Sequence, residues 1–200
     1  MAKTVTPSIT RGQISKIREL LDAGLRKSGL PSEEVQQVLG QPDFVDEMVG
    51  VLRKRVEAVS DMIVRHVKVD RSRSPQQMLD ATGFKQYLSR DVVNVMPRGE
   101  GEEVEVRFFK LKRYSSPAEV AEAFRIRVLM PDPIAQAQAN TDDPSFMDEH
   151  PNGTQWQDAD GNWCYIAFSR WSVGRYVRVN RSGHDWRGNW WLAGVPQVAL

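Results

Sequence analysis

The spacing of apolar residues changes along this chain, and that change fixes the fold class. Phe44, Met48, Leu52, Val56, Val59 and Ile63 recur every three or four positions, which places them on one stripe of an α-helix. From Gln155 onward the pattern is alternation. Cys164, Ile166 and Phe168 point opposite to Tyr165, Ala167 and Trp171, and Val177 and Val179 opposite to Tyr176 and Arg178. That is the two-residue period of a strand. A chain that is helical first and extended last reads as α+β. The expected architecture is an N-terminal segment of three helices, then a mixed region, then a twisted antiparallel sheet of hairpins. The expected division is a helical bundle or arm over residues 1–66 and an α+β domain over 67–200.

Start and stop signals place the elements. Ile14, Ile17, Leu20 and Leu21 make a first helix, with Gly24 as its stop. Pro31 and Ser32 stand ahead of Glu33 and Glu34 in a second helix that ends at Gly40. Asp43 opens the third, long helix as its cap. Ser74, Pro75 and Gly83 bracket a two-turn helix. Val104, Val106 and Phe108 alternate with Glu103, Glu105 and Arg107 as a half-buried strand. Ser116, Pro117 and Glu119 form a capping box for a helix that Pro131 and Pro133 stop before Met130 is passed. A short helix follows over 134–140, then a loop rich in proline and acid over 141–154. Asp160-Gly161 turns a hairpin, and residues 189–195 form the last strand.

Composition narrows the class further. The 200 residues are 40% hydrophobic and 26% charged, ordinary for a globular chain. A single cysteine, Cys164, leaves no internal disulfide and no four-cysteine zinc site. No apolar run reaches the roughly 20 residues of a membrane span. The N-terminus lacks the apolar stretch of a secretory signal. The expectation is a cytoplasmic protein that does not enter a membrane.

The net charge of +1 hides a gradient. Residues 1–113 hold 20 basic against 16 acidic residues, and residues 114–200 hold 7 against 10, all seven being arginine. The densest basic run includes Arg53, Arg55, Arg65, Lys68, Arg71 and Arg73. If these converge on one face they suit a phosphate backbone. A solvated helix face and a guarded sheet edge have the same composition. All six tryptophans fall in the last 45 residues. Trp171, Trp186, Trp190 and Trp191, with Arg178, are candidate ligand-binding residues, since indole faces and guanidinium planes both stack on bases or sugars. Equally, large indoles fill the core of a small sheet. Trp190 and Trp191, adjacent on a strand, must face opposite sides.

Two readings of function follow. The first is a non-catalytic binding or interaction protein, associated with nucleic acid through the basic run and the Trp/Arg-rich sheet. The long helical stripe from Phe44 to Ile63 offers it a homodimer face. The second is a small hydrolase or transferase in which Asp148, His150 and His184 share acid–base work where the acidic loop meets the hairpins. A zinc on His150, His184 and a carboxylate lacks any supporting spacing, and Asp158, Asp160 and Asn162 depart from a calcium loop. No metal or cofactor is therefore expected. Cys164, in mid-strand, reads as an inert buried hydrophobe.

The stretch HPNGTQWQDADGNWCYIAFSRW, together with the later WWLAGV, resembles the C-terminal half of uncharacterised bacterial hypothetical proteins. The similarity extends upstream through DRSRSPQQMLDATG and MPRGEGEEVEV. It implies a bacterial cytoplasmic protein, and no activity, ligand or site residue comes with it.

Overall fold

In the computed structural model, residues 9–60, 62–172, 174–181 and 185–197 are described. The chain divides between Leu52 and Arg53 into two compact units. The first holds helices α1 (Arg11–Ser28) and α2 (Ser32–Leu39) and the start of α3 (Phe44–Ser60). Helix α1 opens on a capping box between Thr10 and Gln13 and closes on Gly29, whose φ is 63°. It runs through Gly24, contrary to the expected stop. The Leu-Arg-Lys that follows favours helix enough to offset an interior glycine, which costs about 1 kcal/mol. Neither α1 nor α2 buries a residue, and Leu20, Leu25 and Leu39 are exposed.

The second unit is a mixed α+β domain. Its strands are β1 (Met62–Lys68), β2 (Lys85–Leu88), β3 (Glu103–Lys110), β4 (Leu129–Met130), β5 (Asn152–Gln157), β6 (Trp163–Trp171), β7 (Gly174–Arg181) and β8 (Trp191–Pro196). Its helices are α4 (Pro75–Ala81), α5 (Arg90–Asn94), α6 (Pro117–Arg127), α7 (Pro133–Asp142) and α8 (Phe146–Glu149). The sheet order is β1-β3-β8-β5-β6-β7-β2, with β4 attached to β8. The hairpin β6–β7 and the pairs β1–β3, β3–β8 and β5–β6 are antiparallel. The pairs β5–β8 and β2–β7 are parallel. The sheet is thus mixed rather than wholly antiparallel, because β8 inserts between β3 and β5 instead of extending a hairpin.

Two further expectations change. The apolar stripe does not lie on one helix from Phe44 to Ile63. Helix α3 ends at Ser60, and Ile63 lies on edge strand β1, where it packs against the larger core. The single helix assumed for a homodimer face from Phe44 to Ile63 therefore stops at Ser60. The basic run is also divided, since Arg55 is on a helix, Arg65 and Lys68 on a strand, and Arg71 and Arg73 in the turn after it.

Strand alternation sends side chains to two cores. Val106, Phe108, Trp156, Cys164, Ile166, Phe168, Val177, Val179, Ala193 and Val195 meet α4, α7 and α8 on one face. Phe109 and Leu192 meet Val120 and Phe124 of α6 on the other. Sequence capping signals hold here: α4 opens on a Ser74/Gln77 box with Pro75 at its first position, and α6 on a Ser116/Glu119 box with Pro117. Helix α7 is buried along nearly its whole length although, after Pro133 and Ile134, residues 135–140 are only Ala, Gln and Asn. Small alanines permit close approach to the sheet, and its buried amide nitrogens are paired, although Gln136 Oε1 has no hydrogen-bond partner. Gln136 Nε2 and Asn140 Nδ2 donate to Asn152 Oδ1 at 2.8 and 2.9 Å, and Asn152 Nδ2 donates back to Asn140 Oδ1 at 3.0 Å.

One ion pair anchors the start of α7. Asp132 is 0% and Arg71 17% exposed, and Arg71 Nη2 stands 2.6 Å from Asp132 Oδ2. Asp132 Oδ1 also accepts from the Ala135 amide, capping the helix. Arg71 in addition donates to the Gly101 carbonyl at 2.8 Å and to the Arg98 carbonyl, drawing the 98–101 turn inward. Gly99 sits at φ 63°, and the Asp132 carboxylate occupies the space a Cβ would need there. Replacing Arg71 by alanine leaves a buried carboxylate unpaired and should cost about 3–5 kcal/mol in chemical denaturation. Arg73→Ala, which removes only an exposed partner of Asp70, should leave the denaturation midpoint near that of the unaltered protein.

Candidate functional site

The second sheet face is covered by α6 only over its β8 side. Beyond that, over β5, β6 and β7, lies a depression of about 350 Å³. Its floor follows from the register. Gly153 pairs with Ala167, and Ala167 with Arg178, so two small residues lie side by side at the centre of the face. Large residues stand around them: Trp163 and Tyr165 from β6, Tyr176 and Arg178 from β7, and Trp186 and Trp190 from the segment before β8.

Trp186 is the most constrained of these. Its ring lies over Gly153, where an added Cβ would come within 2.5 Å of the indole. Its Nε1 donates to Gln155 Oε1 at 2.7 Å, and Gln155 Nε2 donates to the Pro117 carbonyl at 2.6 Å. Its backbone pairs with Ser115 in both directions. Tyr165 and Trp190 meet the Trp186 ring edge-on, at centroid distances of 5.9 and 5.5 Å. Tyr165 and Trp190 remain half-buried. Burial pushes the Tyr165 hydroxyl above its ordinary pKa, against the opposing pull of the Arg178 guanidinium beside it. The hydroxyl is therefore neutral at physiological pH.

Three of the five ligand candidates, Arg178, Trp186 and Trp190, meet in this depression. Trp191 does not. It faces the other side, against the larger core and 5.0 Å from the His150 ring. Trp171 stands outside the depression at the end of the β6–β7 hairpin, 62% exposed and edge-on to Tyr176. Reading by residue type missed Trp163, Tyr165, Tyr176 and Gln155. Alternation did put Tyr165 and Tyr176 opposite the apolar side of their strands, which was the signal available.

Most of the basic candidates are bound to groups of this chain. Arg55 donates to the carbonyls of Arg125 at 3.3 Å and of Ile126, at the C-terminal end of α6. Arg65 lies over the Phe146 ring at 4.8 Å. Arg71 is held by Asp132, Arg73 by Asp70, and Lys68 is exposed on β1. The side chain of Arg53 lies outside the described residues.

The acid–base candidates are engaged in packing. Asp148 receives Arg175 Nε at 2.9 Å and Nη2 at 2.7 Å, and Arg170 Nη1 at 3.0 Å. The hydrogen bonds from Arg175 lead the effects that hold its carboxyl below the usual carboxylate range. His150 stacks on Phe146 with centroids 4.6 Å apart and planes 10° apart. His184 lies outside the described residues. Cys164 is buried, and its thiol is pushed up by burial and by Asp158, which disfavours the nucleophilic thiolate. Among the described residues no group of three or more His, Cys, Asp or Glu could hold a metal ion, and no helix is long and apolar enough to cross a membrane. No known protein family, curated protein sequence or solved structure matches the chain.

Two outcomes follow. Gly153→Ala should displace the Trp186 indole, cost about 1–3 kcal/mol by overpacking, and red-shift tryptophan emission. The Asp148 carboxyl has a lowered folded-state pKa, so its contribution is complete above the unfolded carboxylate pKa of about 4 and fades as pH falls below it. Asp148→Asn should accordingly reduce the drop in melting temperature on acidification while lowering it at neutral pH.

Proposed function

We propose that this chain is a non-catalytic binding protein whose ligand is single-stranded nucleic acid, with a base seated in the depression over β5, β6 and β7. The observation that carries this reading is the grouping of Trp163, Tyr165, Tyr176, Trp190 and Arg178 around one open cavity. The partly exposed rings of Trp163, Tyr165 and Trp190, with Tyr176 buried beside them, give a base a stacking surface, and stacking tolerates any base because every base has a π-face. Arg178 and Arg187 on the rim supply positive charge for the adjoining phosphates, against Asp185. The Tyr165 hydroxyl adds a polar group able to meet a base edge.

The depression itself, rather than the basic run from Arg53 to Arg73, supports this reading. Arg55, Arg71 and Arg73 are bonded to carbonyls or carboxylates of this chain and would have to break those bonds to reach a phosphate. The acid–base alternative finds no such support, since Asp148 and His150 are both occupied in packing.

A dodecathymidylate titration followed by tryptophan fluorescence tests the proposal. Quenching should weaken with salt, the logarithm of affinity falling with a slope of about −1.4 if two phosphates are neutralised on a single strand. Arg178→Gln should bring that slope to about −0.7. Trp190→Ala should cost about 1–3 kcal/mol of binding with the fold retained by circular dichroism. Absence of binding at low salt, or binding indifferent to both variants, overturns the proposal.

A further inference from the structure

The aromatic surface does not end at the rim of the depression. Tyr176, which lines it, meets Tyr87 of edge strand β2 at 5.9 Å and Trp171 at 5.3 Å, both edge-on. Tyr87 is 44% and Trp171 62% exposed. Large rings left this open on a sheet face are unusual in a chain that buries Trp156 and Trp186 almost completely. Register keeps them on the same face as the depression, for Tyr87 pairs with Arg178, Arg178 with Ala167, and Ala167 with Gly153. Cations accompany them. The Arg178 guanidinium lies 5.8 Å from the Tyr87 ring and 6.0 Å from Tyr176, and Lys85 Nζ lies 5.4 Å from Tyr87.

We propose, resting on the reading above, that the bound strand runs across the sheet from the depression over β7 to the β2 edge. One base occupies the depression, and a base two or more nucleotides along the strand, beyond the reach of a dimer, stacks on Tyr87 or Trp171. From β5 to β2 is three strand spacings, about 14 Å, more than one ring can span. A mononucleotide would leave Tyr87, Trp171 and Lys85 without a role. A neutral glycan would use the rings but has no need of the cations set beside them. Two groups of exposed rings on one face, joined through the buried Tyr176, with Lys85, Arg178 and Arg187 beside them, match a chain that alternates flat groups with negative charge. The ligand is thereby a polymer, and its polarity of charge is negative.

The test compares thymidylate dimer and hexamer by fluorescence anisotropy of end-labelled strands. In the unaltered protein the hexamer should bind more tightly by roughly 5- to 150-fold, the worth of one further stacked base. Tyr87→Ala combined with Trp171→Ala should abolish that gain and leave dimer affinity within about twofold. Both side chains are exposed, and unchanged melting of the double variant confirms an intact fold. A hexamer that binds no better than the dimer, or a double variant that keeps the full gain, overturns the extended path and leaves the single-base site standing. No binding by either strand at low salt overturns both. Cellohexaose binding that is insensitive to salt and lost in the double variant would assign the strip to a glycan and overturn the charge argument.

Discussion

A buried polar link between the sheet and its main helix runs through one side chain, Asn152. It lies at the first position of β5, wholly buried, and its amide is shared with Gln136 and Asn140 of α7. A buried amide left unpaired costs about 1–3 kcal/mol, so α7 can settle in few registers on the sheet. That helix touches β1, β3, β5 and β8. Fixing it therefore fixes the larger core. At its start Asp132 caps it and binds Arg71, which ties in the turn before β3. Polar contacts set the register of this domain, and apolar burial fills in behind them.

The consequence for function lies in strand parity. One residue after Asn152, Gly153 points to the other face and has no side chain, which gives Trp186 a flat place to rest. Its neighbour Ala167 extends the floor. The same strand thus locks one face and hollows the other. Trp156 and Trp191 serve the locked face, whereas Trp163, Trp186 and Trp190 surround the hollow. Tryptophan acts here both as core filler and as wall of an open surface, and the parity of its position decides which.

Local signals in the sequence were accurate where the chemistry is local. The caps at Ser74 and Ser116 and the alternation of Val104, Val106 and Phe108 all appear as read. Signals failed where long-range contact decides. Strand β1 was hidden because Ile63 prolongs the helical spacing of α3, and only pairing with β3 marks Met62–Lys68 as extended. Edge strand β2 is four residues long and shows no period. Nothing in the Ala/Gln/Asn run after Ile134 announces burial until Asn152 supplies the partners. The site divides in the same way. The residues Arg178, Trp186 and Trp190 were legible as types, but Trp191 was lost to the core. Tyr87 entered only through its parallel pairing with β7.

The place of β8 bears on how this protein comes to be folded. Residues 191–196 lie in the middle of the sheet, between β3 and β5, and also carry β4. On a ribosome, β1 and β3 emerge long before that strand does and can pair only with each other. Until it arrives, β3 and β5 each present an open edge, the kind of surface on which nascent chains adhere to one another. Sheet closure is therefore a late event governed by non-local contacts, which are slow to form. Chaperone demand should be concentrated in that interval, after the helices are made and before the last strand is threaded home.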